Sequence, residues 1–470
     1  MAKRRAFATF LVGGAQRIFI AAAIIFFDPF NIGAVTEQAS IGVFERLASP
    51  WYPARERDRI VVVMIDEKDL PLAGEDCAPD ADCGGRTWPI PFSDHAALIE
   101  AIVGEDPQGY PAAVFVDVLF NNPHVGDPSF GKLAAIAARG GADRAASYPP
   151  IIFATEALSQ FDPAAPQAAP LQGTPALLED VDGALTAQVS WIGEGYPLAV
   201  NDGGAEKPTA AAALYESVRG QTLPGNAPAM MAIWGYQPIE GSTYSRLMKD
   251  GAVEERPCPQ AGTLAGRIGA TLGAAASGAL ANAEAGMAAR WRMMQPCSFH
   301  AEIRAADLLP AGFESEFRFR EALAGAIVII GAQIPGIPDA VISPVHGKLP
   351  GAYYHAMALD NLLVFGDAYY RADRGSKVFG LPLPGVLELA ILLAGVVLAA
   401  AITAMRRAGW RTKASAAAGV IALTLGLLYF SAAVMRSPAI NWLGALTLAV
   451  GYILQAAPSG APRSNRKETA

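Results

Sequence analysis

The chain is short of charge. Only 17% of its 470 residues are Asp, Glu, Lys or Arg, against 52% hydrophobic, where an ordinary soluble protein carries about 25% charged residues. The mean hydropathy is +0.27, high for a chain that lives wholly in water. Basic residues are the scarcer sign, 36 against 44 acidic, for a net charge of −8. That balance argues against nucleic acid as a partner, because phosphate backbones are held by Lys and Arg. Catalytic motifs are missing too. There is no HExxH, no nucleophile elbow and no Walker loop, and Gly325, Gly331 and Gly336 do not form GxGxxG. Metalloprotease, serine hydrolase, P-loop and dinucleotide chemistry therefore lack their usual signatures. The expectation is a protein that is not an enzyme and needs no cofactor or metal. Cysteine is also scarce: Cys77, Cys83, Cys258 and Cys297, with no CxxC spacing. An even count within one region fits two disulfides in an oxidising compartment; four free or metal-binding thiols is the other reading.

What charge there is lies unevenly. Residues 28–380 hold 42 acidic and 24 basic side chains, and the remainder holds 2 and 12. An acidic region between basic flanks suggests a domain on one side of a membrane with its anchors facing the other. Lys3, Arg4 and Arg5 precede an apolar run, Ala6 to Phe27, long enough to span. No small-residue cleavage site is clear after Phe27, so residues 1–27 read as an uncleaved signal-anchor. Three more apolar segments follow: Leu381 to Ala404, Ala414 to Met435, and Ala439 to about Ala457. The loop between the first two carries Arg406, Arg407, Arg411 and Lys413, and the tail carries Arg463, Arg466 and Lys467. Four spans then put both termini in the cytoplasm of a bacterial inner membrane and residues 28–380 in the periplasm or outside the cell. The spans hold two charges, Arg17 and Glu388, which at about 1.5 Å per residue sit within about 5 Å of one depth. They are expected to pair and couple the first span to the second. Gly395, Gly419, Gly426 and Gly444 suit close helix contacts and a homodimer.

Within residues 28–380, apolar β-branched runs alternate with helical patterns. Asp28 to Asp58 reads as an amphipathic connector. Strands are expected at Arg59 to Ile65, Ala112 to Val116, Ile151 to Thr155 and Ala326 to Ile330, with a weaker one at Gln188 to Ile192 and another at Met230 to Trp234. Helices are expected from Ser93 to Ile102, over Pro208 to Val218, and from Pro350-Gly351 onward, the last after a Gly/Pro-rich loop from Gly331 to Pro350. The Ala/Gly-rich stretch Ala261 to Ala289 fits either a helix or an insertion. Alternation of this kind predicts an α/β, parallel-rich extracytoplasmic domain plus a four-helix transmembrane region. Residues 458–470 form a short cytoplasmic tail.

In an open parallel sheet, ligands bind where the strands' carboxyl ends converge. Asp66, Asp117 and Asp339 follow strands, and His95 and His355 lie in early helix turns. With Trp88 they are the candidate ligand-binding set; helix capping and loop anchoring are the structural alternative.

Several segments, taken in order, resemble the type 2 CHASE domain, an extracellular sensory domain of bacterial receptors. They are VVVMIDE (Val61 to Glu67), WPIPFSDHA (Trp88 to Ala96), AVFVDVLF (Ala113 to Phe120), PTAAAALYE (Pro208 to Glu216), IVIIGAQIPGIPD, and PGAYYHAMALDNLL. One span before the domain and three after it is also that family's layout. The resemblance implies a sensor for an unidentified small ligand. Family members usually continue into a cytoplasmic kinase or cyclase. Only 13 residues follow Ala457, so the expected output is a separate cytoplasmic or membrane protein partner. Phe92 stands where the family often has Arg. Two other readings compete: a structural or assembly subunit of an envelope complex, and an envelope enzyme with a cryptic metal site.

Overall fold

The computed structural model describes residues 32–66, 90–120, 130–156, 178, 181–191, 195–202, 204–224, 227–239, 243–247, 253–257, 262–269, 293–295, 298–308, 319–334, 339–372, 377–378, 381–404, 409–430, 436 and 442–455. Trp88 and all four cysteines lie outside these residues, as do Arg17 and the side chain of Glu388. The chain divides into two units, residues 45–372 and residues 1–44 with 373–470.

The first unit is built on a sheet. Helix α1 (Ile32–Ala48) leads into it. Strand β1 (Ile60–Asp66) is followed by helix α2 (Phe92–Val103), then β2 (Ala113–Val116), α3 (Phe130–Arg139), β3 (Ile151–Thr155) and β4 (Leu185–Gln188). A hairpin, β5 (Ala199–Asp202) and β6 (Ala205–Pro208), precedes helix α4 (Ala210–Arg219). An antiparallel trio follows: β7 (Thr243–Leu247), β8 (Val253–Pro257) and β9 (Met293–Gln295). Next come β10 (Ala301–Arg304), the short α5 (Ala305–Leu308) and β11 (Ile327–Gln333). Hairpin β12 (Ala340–Ser343) and β13 (Gly347–Pro350) then delivers the chain into α6 (Gly351–Phe365).

Six strands form one sheet in the order β10-β1-β11-β2-β3-β4, and every neighbouring pair is parallel. The expected α/β class and parallel sheet are what the chain forms. Covering both faces explains the unbroken apolar runs: Ile60 to Ile65, all of β2 and β3, and β11 as far as Gly331 are buried. Alternate residues sort to the two faces. Val61, Val63, Ile65, Val114, Val116, Val328 and Ile330 pack with Leu98, Ile99 and Ile102 of α2 and Leu133 and Ile136 of α3. Helices α4 and α6 lie on the other face, α6 against β1 and β11 and α4 against β2 and β3.

Three expectations shift. The expected loop from Gly331 begins as strand, because β11 runs on to Gln333, and its later part is the β12–β13 hairpin. The weak strand near Gln188 ends there instead of starting there. Met230 makes isolated bridges to Tyr196 and Arg371, and no strand forms over Met230 to Trp234. Of the Ala261 to Ala289 stretch, only residues 262–269 are described.

In the second unit, the hairpin β14 (Lys377–Val378) and β15 (Leu381–Pro382) leads to three helices: α7 (Leu383–Ala404), α8 (Trp410–Phe430) and α9 (Trp442–Gln455). The sequence anticipates four spans. Among the described residues, one helix, Trp410–Phe430, is long and apolar enough to cross a membrane, with shorter apolar helices at Leu389–Ile402 and Trp442–Gln455. Gly395 sits against Ala449, so closely that a side chain there would collide, and this lets α7 approach α9. Among the described residues, no such neighbour faces Gly419 or Gly426. Ser40 of α1 reaches the start of α9: its hydroxyl accepts the Leu443 N–H at 3.2 Å, and its carbonyl accepts the Trp442 indole N–H at 3.2 Å.

Candidate functional site

Parallel strands bring their carboxyl ends to one edge. Asp66 is the last residue of β1, and Asp117 follows β2, where its backbone N–H donates to the Ile330 carbonyl at 2.8 Å. Since Val116 faces α2 and α3, Asp117 faces α6. Phe115, two residues earlier, meets the His355 ring of α6 edge-on at 5.6 Å.

His355 is the centre of the cluster. Its Nε2 is 3.7 Å from Asp117 Oδ1, too long for a direct hydrogen bond. Its Nδ1 is 2.8 Å from the Tyr196 hydroxyl, which accepts the Ala211 N–H at the start of α4 at 2.9 Å. With that hydroxyl donating to Nδ1, the imidazole proton sits on Nε2, toward Asp117. Burial lowers the His355 pKa to about 4, with Asp339 opposing in part. Burial also pushes Asp117 up to about 7. The pair is therefore a neutral imidazole facing a carboxyl that keeps its proton nearly to neutrality, not a salt bridge. The Asp117 side chain is only 9% exposed, and its Oδ2 has no hydrogen-bond partner among the described residues. Such an atom costs about 1–3 kcal/mol, which marks a place where water, an ion or a ligand belongs.

Asp339 enters from the other side. It immediately precedes β12, is exposed, and accepts the backbone N–H of Gly351, the first residue of α6. A Cβ on Gly351 would collide with the Asp339 carboxylate, so glycine is what lets this acid reach the helix N-terminus. Asp339 as a whole is exposed, but its carboxyl is tucked against the start of α6, and the loss of water there, then the charge of Asp117, push it up to about 6. Aromatic rings line the same place. Tyr196 meets Trp191 at 4.9 Å and Tyr354 at 5.2 Å, and Trp234 stacks on Tyr354 at 6.1 Å. Tyr196 is fully buried, while Trp191 and Tyr354 are half-buried.

Three residues singled out from sequence thus meet: Asp117, Asp339 and His355. Asp66 instead lies near Glu302, whose carboxyl is pushed up by burial first and by Asp66 in addition, and which accepts the Tyr353 hydroxyl. His95 lies on the opposite face, buried in α2 against Phe120 at 5.0 Å. Trp88 is outside the described residues. Sequence reasoning missed Trp191, Tyr196 and Tyr354. Tyr354 is next to His355, but Trp191 and Tyr196 sit in irregular chain with no period to reveal them.

Helix α6 continues into a second buried network. Tyr52 donates to Asp360 Oδ1 at 2.6 Å, and His300 Nε2 is 3.2 Å from Asp360 Oδ2, with the His300 and Asp360 side chains at most 1% exposed. The Asn361 amide brackets the Ile233 backbone, accepting its N–H at 3.1 Å and donating to its carbonyl at 3.0 Å. No group of three or more His, Cys, Asp or Glu among the described residues is placed to hold a metal ion.

A sheet with a polar cluster at its carboxyl edge, followed by apolar helices, can be set beside known families. The family model described as CHASE2 domain matches residues 18–402. The chain belongs to the CHASE2 family. CHASE2 domains are extracellular and sensory rather than catalytic. No curated protein and no solved structure matches the chain. The ring of Phe92 is buried against Phe120 and Phe130. Here the position serves the core.

Proposed function

We propose that this CHASE2 protein is a membrane-anchored receptor of the bacterial inner membrane. Its α/β domain binds a small extracytoplasmic ligand at Asp117, Asp339 and His355 and signals through four spans to a separate cytoplasmic or membrane partner, with the receptor itself a homodimer. The observation that carries this reading is the unpartnered, buried Asp117 Oδ2 beneath the first turns of α6. The route away from the site follows bonds. Helix α6 bears His355 and, one to two turns on, Asp360, which holds Tyr52 just beyond α1. Arg46, near the end of α1, donates to the Pro344 carbonyl at 2.9 Å, in the turn of the hairpin that Asp339 opens. A ligand that favours one placement of α6 and the hairpin shifts the population of the connector, and through it the membrane helices. Arg17 and Glu388 pair within the bundle in this reading, and the cysteines form two disulfides.

The test is purification of the tagged protein from its native membrane in mild detergent, with mass spectrometry of what accompanies it. A stoichiometric cytoplasmic kinase, cyclase or regulator is the expected result. Recovery of envelope proteins alone, or of the chain alone, refutes the receptor and favours a structural subunit.

A further inference from the structure

We infer that the Asp117–Asp339–His355 cluster recognises its ligand through an organic ammonium group. The inference rests on the receptor reading above and names the chemistry of its ligand.

The argument is an inventory of donors and acceptors. The hydroxyl of Tyr196 is committed to His355 Nδ1 and already accepts from Ala211. The Gly351 N–H is committed to Asp339. What remains is mostly acceptor: Asp117 Oδ2, without a partner, and the rest of the Asp339 carboxylate. Among the three clustered side chains, the one donor in this tautomer is His355 Nε2–H, and it already faces Asp117. An anionic ligand would meet two carboxylates against one side-chain donor. A neutral hydroxyl would leave both carboxylates uncompensated in a place where burial already disfavours their charge. A protonated amine brings up to three N–H donors and the positive charge that lets both acids ionise together. Trp191 and Tyr354, half-buried and each in ring contact with Tyr196, supply aromatic surface beside the acids for such a cation and the carbon chain behind it. A bare divalent cation asks for more ligands than this cluster presents, and has no use for rings.

The experiment uses the full chain in mild detergent at pH 7.5. Isothermal titration and thermal melting are run with ethanolamine, putrescine and isoamylamine, each beside its hydroxyl counterpart (ethylene glycol, 1,4-butanediol, isoamyl alcohol), and with succinate as an anion. At least one amine is expected to bind and raise the melting temperature where its counterpart does not. Asp117→Asn is expected to weaken that amine roughly tenfold or more while the variant stays folded. Glu100→Gln, on α2 at the opposite face of the sheet and paired with Arg139, is expected to leave the affinity unchanged. Binding by a hydroxyl compound or succinate that Asp117→Asn abolishes would overturn the ammonium class and leave the receptor standing. Amine binding indifferent to Asp117→Asn, or no binding by any amine, would overturn the inference. The receptor's own failure is read separately, in the co-purification.

Discussion

Replacing Asp117 by Asn should make the ligand-free protein more stable, and by an amount that depends on pH. In the folded domain, burial moves the Asp117 carboxyl from 3.8 to about 7. At about 1.4 kcal/mol for each tenfold change in a proton equilibrium, ionising it in place costs up to about 4 kcal/mol. The side chain is only 9% exposed, so solvent relieves little of this. The direction follows from proton counts. Between about pH 4 and pH 7 the folded protein keeps a proton that the unfolded chain has released, so stability is lost as pH rises through that window and is level above it. Asn cannot ionise, and it places an amide where the unpartnered oxygen now lies. The variant should therefore melt near the wild-type temperature at pH 4 and clearly above it at pH 8. Asp339 and His355 titrate in both proteins; losing the Asp117 charge also eases Asp339 downward, which adds to the gain. Thermal melts of both chains in detergent from pH 4 to pH 8 provide the assay. A difference that does not change with pH, or a variant less stable at pH 8, would refute the burial argument. A gain in stability joined to a loss of binding is what a site residue shows.

Three further outcomes follow from the contacts. Asp360→Ala strips Tyr52 and His300 of their buried acceptor and should cost about 3 kcal/mol, with Tyr52→Phe costing about 1–2 kcal/mol, both read in chemical or thermal melts. Gly351→Ala drives a methyl group into the Asp339 carboxylate; it should abolish ligand-induced thermal stabilisation while circular dichroism keeps the α/β signature. Ser40→Ala removes the hydroxyl that accepts the Leu443 N–H at the head of α9 and should cost about 1 kcal/mol, seen as earlier protease cleavage around α9.

The sheet was legible because its central strands are buried on both faces and so are written as β-branched runs. Ile151–Thr155 matches to the residue, and Ile60–Asp66 and Ala113–Val116 match within one. Strand β10 was not seen, because an edge strand reading Ala-Glu-Ile-Arg buries only Ile303 fully and looks like surface. The β12–β13 hairpin was hidden for a similar reason: its strands are four residues long, one ending in Pro, with little apolar alternation. At the site, the order of residues put Asp117 at the carboxyl end of a strand, but order alone does not say which helix covers which face. That is why His95, an equally good candidate on sequence, lies under the opposite side of the sheet from His355. Tyr196 could not be found in advance; its place depends on the bridge to Met230 and on the arrival of α4.

The sheet order bears on how the protein is made. Strand β1 is the earliest of the six, yet both its neighbours, β10 and β11, come from the far end of the domain. Strand β11 is also the wedge between β1 and β2. A nascent chain therefore holds this apolar strand without a partner until synthesis has passed Arg304, and with one edge open until it has passed Gln333. Pairings this distant in sequence close slowly and leave sticky edges open meanwhile. Chains cut short before Ile327 should fail to build the sheet and be degraded rather than persist as partial domains. Growth conditions that slow the completion of the domain should lower the yield of the protein before they affect the stability of molecules already folded.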